Sequence, residues 1–286
     1  MTPTYLAGYD GSSESRAAVQ LARRLAESAG ADVIAASVYT HAVADYWVGV
    51  EMFPYDRLEE DLRRRAEEVL ETLDVPGVHP RVVRADSPAR GLHDLAESTG
   101  AELLSVGTTH RGPFGRLAPG SVGMHLLHGA PCPVVVVPPE SGDRAIRTIG
   151  VAYDGREESK AALHHADELA QRLGARLVVL GASQPLLVPV GVVPAFPATA
   201  AEDYQREFEA MLGRAAEGTR NGAEPRLMVG PAGPALTEAS ADVDLLVTGS
   251  RGYGAVAGVV LGSVSRHLVD HAACPVLVVP RPADAG

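Results

Sequence analysis

Apolar and polar positions follow two rhythms along this chain, and the same succession of rhythms runs through it twice. In the first half, the strand-like run Tyr5–Tyr9 gives way to Ala18, Leu21, Ala22 and Leu25 at helical spacing, a pattern that Gly30 ends. A second strand at Asp32–Val38 precedes a long loop, His41–Pro54, and a helical stripe of Leu58, Leu62, Ala66, Val69 and Leu73. A strand at Arg81–Ala85, a helix over Pro88–Ser98, a fourth strand ending at Gly107 and an apolar run at Val134–Val137 complete the set. The second half repeats it: strand Thr148–Tyr153, a helix stopped by Gly174, strand Arg176–Ala182, loop Gln184–Thr199, and a stripe of Tyr204, Phe208, Met211, Leu212 and Ala215. Strand Arg226–Val229, helix Pro234–Ala241, strand Leu245–Thr248, helix Val264–His271 and strand Pro275–Val279 follow. Strands alternating with helices predict an α/β fold, with a five-stranded parallel sheet covered by helices on both faces in each half.

The repetition extends to individual residues. Tyr-Asp-Gly at Tyr9 recurs at Tyr153, and Ser15, Ala17, Leu25, Gly30 and Ala31 recur at Ser159, Ala161, Leu169, Gly174 and Ala175. Two domains follow, 1–140 and 146–282, with the boundary in the polar, turn-rich stretch Pro139–Arg147. In sheets of this kind a ligand crevice opens at the carboxyl ends of the strands, where the strand order reverses. Asp10 and Asp154 follow the first strands, and Gly107 and Gly249 end the fourth. If strands one and four are neighbours, these features meet.

With 286 residues, 46% hydrophobic and 21% charged, the chain has ample material for two cores. A net charge of −11 argues against a nucleic-acid footprint, which needs a basic face. The N-terminal stretch has no basic region followed by an apolar core, and the apolar loop Pro185–Ala198 is too short to span a bilayer. No membrane partner is expected, and a cytoplasmic location is the default. The two cysteines, Cys132 and Cys274, each precede a proline at equivalent places in the repeat, so no disulfide framework is indicated.

The candidate chemistry lies in Asp244–Pro280 and its copy, Glu102–Pro138: strand, glycine-rich loop, helix, strand. Gly249, two residues, Gly252, nine residues, then Gly262 and Ser263 form a loop able to aim backbone N–H groups and a helix N-terminus at an anion. With the aspartate after the first strand, the duplication and the final strand after Cys-Pro, the chain resembles a tandem universal stress protein over nearly its whole length. The resemblance implies a Rossmann-like fold related to the adenine nucleotide alpha hydrolases and, in the nucleotide-binding branch, ATP as ligand with Mg2+ or Mn2+. It implies that Asp154 holds the ribose, that the backbone near Ala182 meets the adenine, and that Thr248 and Gly249 floor the pocket. Gly252, Gly262, Ser263 and Val264 would cradle the phosphates, with Ala152, Arg251 and Gly254 beside them. In the first half the counterparts are Gly8, Asp10, Val38, Val106, Gly107, Gly120, Ser121 and Val122. It also implies that the terminal strands Val134–Val137 and Val276–Val279 join the halves as an internal pseudo-dimer, with homodimerisation open through other surfaces.

One departure separates the halves: His110 stands where the pattern has glycine, with Arg111 and Gly112 beside it. If that backbone needs positive φ, histidine costs about 1–2 kcal/mol and its Cβ crowds a phosphate. Arg111 or Gly112 can instead re-form the turn, and His110 or Arg111 can contact phosphate directly. ATP is therefore expected in the second half, with the first in question.

Plainer readings stand beside these. The aspartates can cap the following helices, and the glycines can simply make a tight turn. His267 and His271, like His125 and His128, have a spacing that suits a metal, but no third ligand recurs, so a structural role is expected. The apolar loops around Trp47 and Phe53 and at Leu186–Phe196 are lids, partner surfaces or packing over a sheet edge.

The expected function is an ATP-binding stress-response regulator that acts through partner proteins yet to be identified. No Walker lysine is present and the single lysine, Lys160, lies on a helix, so a dedicated enzyme is disfavoured, with slow ATP hydrolysis left open. An adenylating enzyme and a non-nucleotide interaction module are the alternatives. Replacing His110 with glycine is expected to raise the ATP stoichiometry; no gain over the parent, with the first site empty, counts against His110 as the obstacle.

Overall fold

A computed structural model describes residues 2–40, 55–109, 118–119, 121–184, 198–250 and 261–280. The chain divides into one unit reaching Arg144 and a second comprising Ala145–Ser250 and the residues from Gly262 onward.

The first unit runs β1 (Thr4–Gly8), α1 (Ser13–Ala29), β2 (Asp32–Thr40), α2 (Tyr55–Glu71), β3 (Val78–Ala85), α3 (Pro88–Thr99), β4 (Leu103–Thr109), β5 (Ala118–Pro119), α4 (Ser121–Leu126) and β6 (Val134–Val137). Its sheet has the order β3-β2-β1-β4-β6, with all of these neighbours parallel. β5 was not foreseen: it pairs antiparallel with the end of β4, Thr108 opposite Pro119. The second unit runs β7 (Thr148–Ala152), α5 (Glu157–Leu173), β8 (Arg176–Ser183), α6 (Ala198–Glu217), β9 (Glu224–Val229), α7 (Ala232–Ala239), β10 (Leu245–Gly249), α8 (Ser263–His271) and β11 (Val276–Val279). Its order, β9-β8-β7-β10-β11, repeats that of the first and is likewise parallel. The expected α/β architecture, a five-stranded parallel sheet in each half, is what forms.

Hydropathy placed these elements well where both faces are buried. Leu6, Leu104, Val134 and Val135 are fully enclosed in the first unit, and Ile149, Val151, Leu245 and Leu246 in the second. It fell short at β3, where the pairing starts at Val78 rather than at Arg81 and runs in register with Val33–Thr40 to Ala85. No residue of β3 is buried and half of them are exposed, so its length is set by backbone pairing with β2 rather than by burial. α7 likewise ends at Ala239, and Ser240–Asp242 tighten into a 3-10 turn. α6 begins at Ala198, inside the stretch expected to be loop. The other loop residues singled out, Trp47, Phe53 and Leu186–Phe196, lie outside the described residues.

Right-handed crossovers put α1 and α2 on one face of the first sheet and α3 and α4 on the other. α1 turns a face of small residues, Ala17, Ala18 and Ala22 with Leu21 and Leu25, to the strands. Small side chains allow close approach: the Ser105 hydroxyl on β4 donates to the Ala18 carbonyl across 2.8 Å. At the end of β4 the approach is closer still. A Cβ on Gly107 would stand 2.7 Å from the Ser15 nitrogen, and one on Gly249 would stand 2.7 Å from the Glu158 carbonyl carbon. No side chain fits between helix start and strand end at either place.

Both cysteines are buried and unbridged. Burial pushes each thiol up to about 12. They are therefore packing groups, unreactive while the fold holds.

Gly107→Ala and Gly249→Ala are each expected to destabilise their unit by about 1–3 kcal/mol, as overpacking against rigid backbone does, measured by urea unfolding. Thiol reagents at pH 8 are expected to label Cys132 and Cys274 only after denaturant is added.

Candidate functional site

In each unit the chain leaves the first strand toward one side of the sheet and returns for the fourth on the other, so the order reverses between β1 and β4, and between β7 and β10. A crevice belongs at such a reversal. In the first unit it is a cleft of about 150 Å³, roughly the space that holds one aromatic ring. Gly8 lines it from β1, Asp10 from the turn after that strand, Val38 from β2, Val106 and Gly107 from β4, and Val122 from α4. These were six of the sequence's candidates, and the fold brings them to one place. Tyr9, Ala36 and Ser37, with Ser12, Glu14 and Ser15 at the start of α1, Pro88 and Leu92 on α3, and Thr108 complete the wall. These last residues carried no site assignment in the sequence, although the recurrence of Ser15 as Ser159 was a signal.

Asp10 sits at the rim, and its own chain holds it. Oδ1 accepts hydrogen bonds from the Ser12 amide at 3.0 Å and the Ser12 hydroxyl at 2.5 Å, while the Asp10 amide donates to Ser15 Oγ at 3.3 Å. Gly11 between them takes φ 86°, a left-handed conformation open to glycine without strain. Burial works to raise the Asp10 pKa, but the hydrogen bonds from Ser12, with those of the Ser15 hydroxyl and the turn's amides, win and hold the carboxyl below its ordinary value. The helix cap is Ser12, whose hydroxyl oxygen accepts from the Ser15 amide at 3.1 Å. That corrects the capping reading: Asp10 lies two residues outside the cap, fixes the turn that leads into α1, and leaves Oδ2 without a bond in that network.

The second unit repeats the frame with different chemistry. Asp154 accepts from the Arg156 amide at 3.1 Å, its own amide donates to Ser159 Oγ at 3.3 Å, and Gly155 takes φ 82°. Arg156, however, stands where Ser12 stands. It gives α5 no side-chain cap, and its Nε lies 3.6 Å from Asp154 Oδ2. Ala152 ends β7, Ala182 lies near the end of β8, and Thr248 and Gly249 end β10, so these candidates also gather at the strand ends. The Ser265 hydroxyl on α8 donates to the Gly249 carbonyl at 2.8 Å and lies 3.2 Å from Thr248 Oγ1, tying that helix to the strand end. Gly262 is buried and precedes α8 with extended backbone and no side-chain cap, and Ser263 and Val264 open the helix. The first-turn N–H groups of α8 thus have no capping side chain, a disposition suited to an anion.

His110, Arg111, Gly112, Gly120, Arg251, Gly252 and Gly254 lie outside the described residues. Ser121 is the first residue of α4. The histidine pairs make main-chain bonds: His128 Nδ1 lies 2.6 Å from the Met124 carbonyl, His271 Nδ1 lies 2.9 Å from that of His267, and the latter two rings stack at 4.3 Å. Lys160 is exposed and pairs with Glu157 at 2.6 Å.

The fold defines an α/β protein with a crevice at the strand-order reversal of its first unit. The profile of the universal stress protein family matches residues 1–138 and again 145–280. A universal stress protein of Mycolicibacterium smegmatis is 31% identical over 290 residues, covering 96% of this chain and 96% of that one. A universal stress protein of Thermus aquaticus is 37% identical over 139 residues, 46% of this chain and 98% of its own. In structure, a universal stress protein from Archaeoglobus fulgidus superposes with a TM-score of 0.69 over 97% of this chain and 98% of its own, at 20% identity. The chain belongs to the universal stress protein family, as a tandem member with two such domains.

Two substitutions test the unequal turns. Ser12→Ala is expected to cost about 0.5–2 kcal/mol through the lost cap, and Arg156→Ser to stabilise the second unit by supplying one. Because folded Asp10 titrates below the unfolded carboxylate's roughly 3.9, its contribution is full above that pH and is lost as pH falls through the folded pKa. Ser12→Ala is expected to flatten that acid limb in pH-dependent unfolding, and an unchanged limb would contradict this origin for the shift.

Proposed function

We propose that this protein binds ATP, carried with Mg2+ or Mn2+ on its phosphates, and acts as a nucleotide-dependent stress-response regulator in the cytoplasm, through partner proteins rather than by catalysis. The observation that carries the reading is the convergence of Gly8, Asp10, Val38, Val106, Gly107 and Val122 on one cleft, residues that the family resemblance implies for the first half. The described walls hold about 150 Å³, room for a base ring but not for a whole nucleotide, whose phosphates would extend toward the glycine loop. Each unit offers groups that fit such a ligand: in the first, an aspartate at the rim for ribose hydroxyls and apolar Val38 and Leu92 for the base; in the second, Asp154 after the first strand for ribose and the start of α8, which has no side-chain cap, for phosphate.

A helix terminus supplies about 0.3–1 kcal/mol to an exposed charge, while micromolar affinity needs about 8 kcal/mol. Most of the binding energy must therefore come from burying the adenine and from several direct hydrogen bonds. Lys160, the only lysine, is engaged with Glu157 at the surface, and the carboxylates lining the cleft are Asp10 and Glu14. This set favours holding a nucleotide over transforming it.

The test is to identify nucleotide retained by the purified protein after heat extraction, then to measure ATP stoichiometry and assay for ADP and for AMP with pyrophosphate. ATP bound without turnover is expected; AMP formation would make the protein an adenylating enzyme, and no nucleotide at all an interaction module. Asp154→Asn is expected to weaken ATP binding in the second unit by about tenfold, the scale of one hydrogen bond to a charged group.

A further inference from the structure

Among the described residues, one group of three side chains holds metal-ligating atoms within 4.8 Å of one another: His93, Asp94 and Glu97 on α3. Neither histidine pair singled out by its spacing belongs to it. Glu97 lies about one helical turn beyond His93, so the two share a face, with Asp94 beside them. Counted from Gly91 and its counterpart Gly233, the matching residues of α7 are Ala235, Leu236 and Ala239, which offer no ligand. The group therefore belongs to the first half alone and is no part of the duplicated frame.

An imidazole near carboxylates on a helix surface is common, and the hydrogen bonds decide what this one can hold. His93 Nε2 lies 3.0 Å from the Gly129 carbonyl oxygen, just past α4. A carbonyl has no proton to give, so Nε2 carries the hydrogen and donates it. In the neutral ring this leaves Nδ1 a bare lone pair, and Nδ1 stands 3.3 Å from Asp94 Oδ1. Two acceptors at that distance repel unless a proton or a metal ion lies between them, and a proton becomes scarce above the ordinary imidazole value of about 6.5. The separation suits an ion: ligand atoms about 2.0–2.2 Å from a tetrahedral zinc stand about 3.3–3.5 Å apart. The other oxygen of Asp94 accepts from Arg90 Nε at 3.0 Å, which leaves Oδ1 for the histidine side. Gly129 and Arg90 thus fix the ring tautomer and the carboxylate, the part that outer partners play around ligated metals. Glu97 is exposed, and rotation of its side chain completes the set. One imidazole nitrogen with two carboxylates suits Zn2+ better than Mg2+, which prefers oxygen ligands alone.

We infer that His93 Nδ1, Asp94 Oδ1 and the Glu97 carboxylate bind a zinc-class divalent cation, with water in the open positions. α3 also supplies Pro88 and Leu92 to the cleft, and His93 ties that helix to the turn after α4. The ion therefore braces a helix that lines the first crevice. The site does not depend on the ATP reading.

The experiment is calorimetric titration of the whole, nucleotide-free chain with Zn2+ at about pH 7.5, with melting temperatures measured with and without the ion, on the parent, His93→Gln, Glu97→Gln and His271→Gln. The parent is expected to bind Zn2+ and to melt higher in its presence. Both α3 variants are expected to bind it at least about tenfold more weakly and to lose that rise. His271→Gln, at a histidine whose Nδ1 is engaged by the main chain, is expected to keep both. Glu97→Gln alters only an exposed carboxylate, so its result stands even if His93→Gln fails to fold. A parent that takes up no Zn2+, or a Glu97→Gln variant that binds as the parent does, overturns the site and leaves His93 and Asp94 as a simple ion pair. An equal loss in His271→Gln assigns the uptake to surface histidines and overturns it too. Absence of ATP binding would remove the reading above and leave this one standing.

Discussion

The architecture of each unit depends on one close contact, that between the first turn of the opening helix and the end of the fourth strand. At Gly107 and at Gly249 the helix backbone lies where a Cβ would be. That contact lets α1 and α5 settle onto their sheets through alanine-rich faces. It also fixes the aspartate turn that precedes each helix relative to the strand that carries the glycine loop. The same constraint that closes the core therefore builds the crevice. A side chain at either glycine would separate the two walls of the groove as well as loosen the packing.

Within that shared frame the units are chemically unequal, and the inequality has two sources. One is visible as His110 in the glycine pattern of the first half. The other concerns the carboxylates. Asp10 is held by hydroxyl and amide donors that leave one oxygen outside their network, whereas Asp154 faces the guanidinium of Arg156 across that same oxygen. The Asp154 carboxylate thus has a cation beside it, while the hydrogen bonds of Asp10 come from neutral groups. The frame is duplicated, and its chemical details are adjusted separately in each unit.

Much of the fold was legible in the residues, for a physical reason. Strands buried on both faces must be apolar, and helices between them must present an apolar stripe, so β1, β4, β6 and their counterparts declare themselves in hydropathy. β3 did so poorly because it is stabilised by backbone bonds to β2, which leave no mark on side-chain composition. β5 is two residues long and rests on local pairing beside the loop, again without a hydropathy signature. At the site, the glycines and aspartates stood out because their backbone conformations or close contacts restrict the choice of residue. Ser12, Arg156 and Thr108 are ordinary residues whose importance comes from neighbours distant in sequence or from burial.

By itself, then, the sequence determined the alternation of strands and helices, the duplication, and the positions at which only glycine or a short carboxylate would serve, because each of these is a local or periodic property. Only the tertiary structure decided that the aspartate lies outside the helix cap. It alone revealed that the carboxylates of the two units have different partners. Those facts depend on which atoms are brought within about 3 Å of each other, and that is settled by packing.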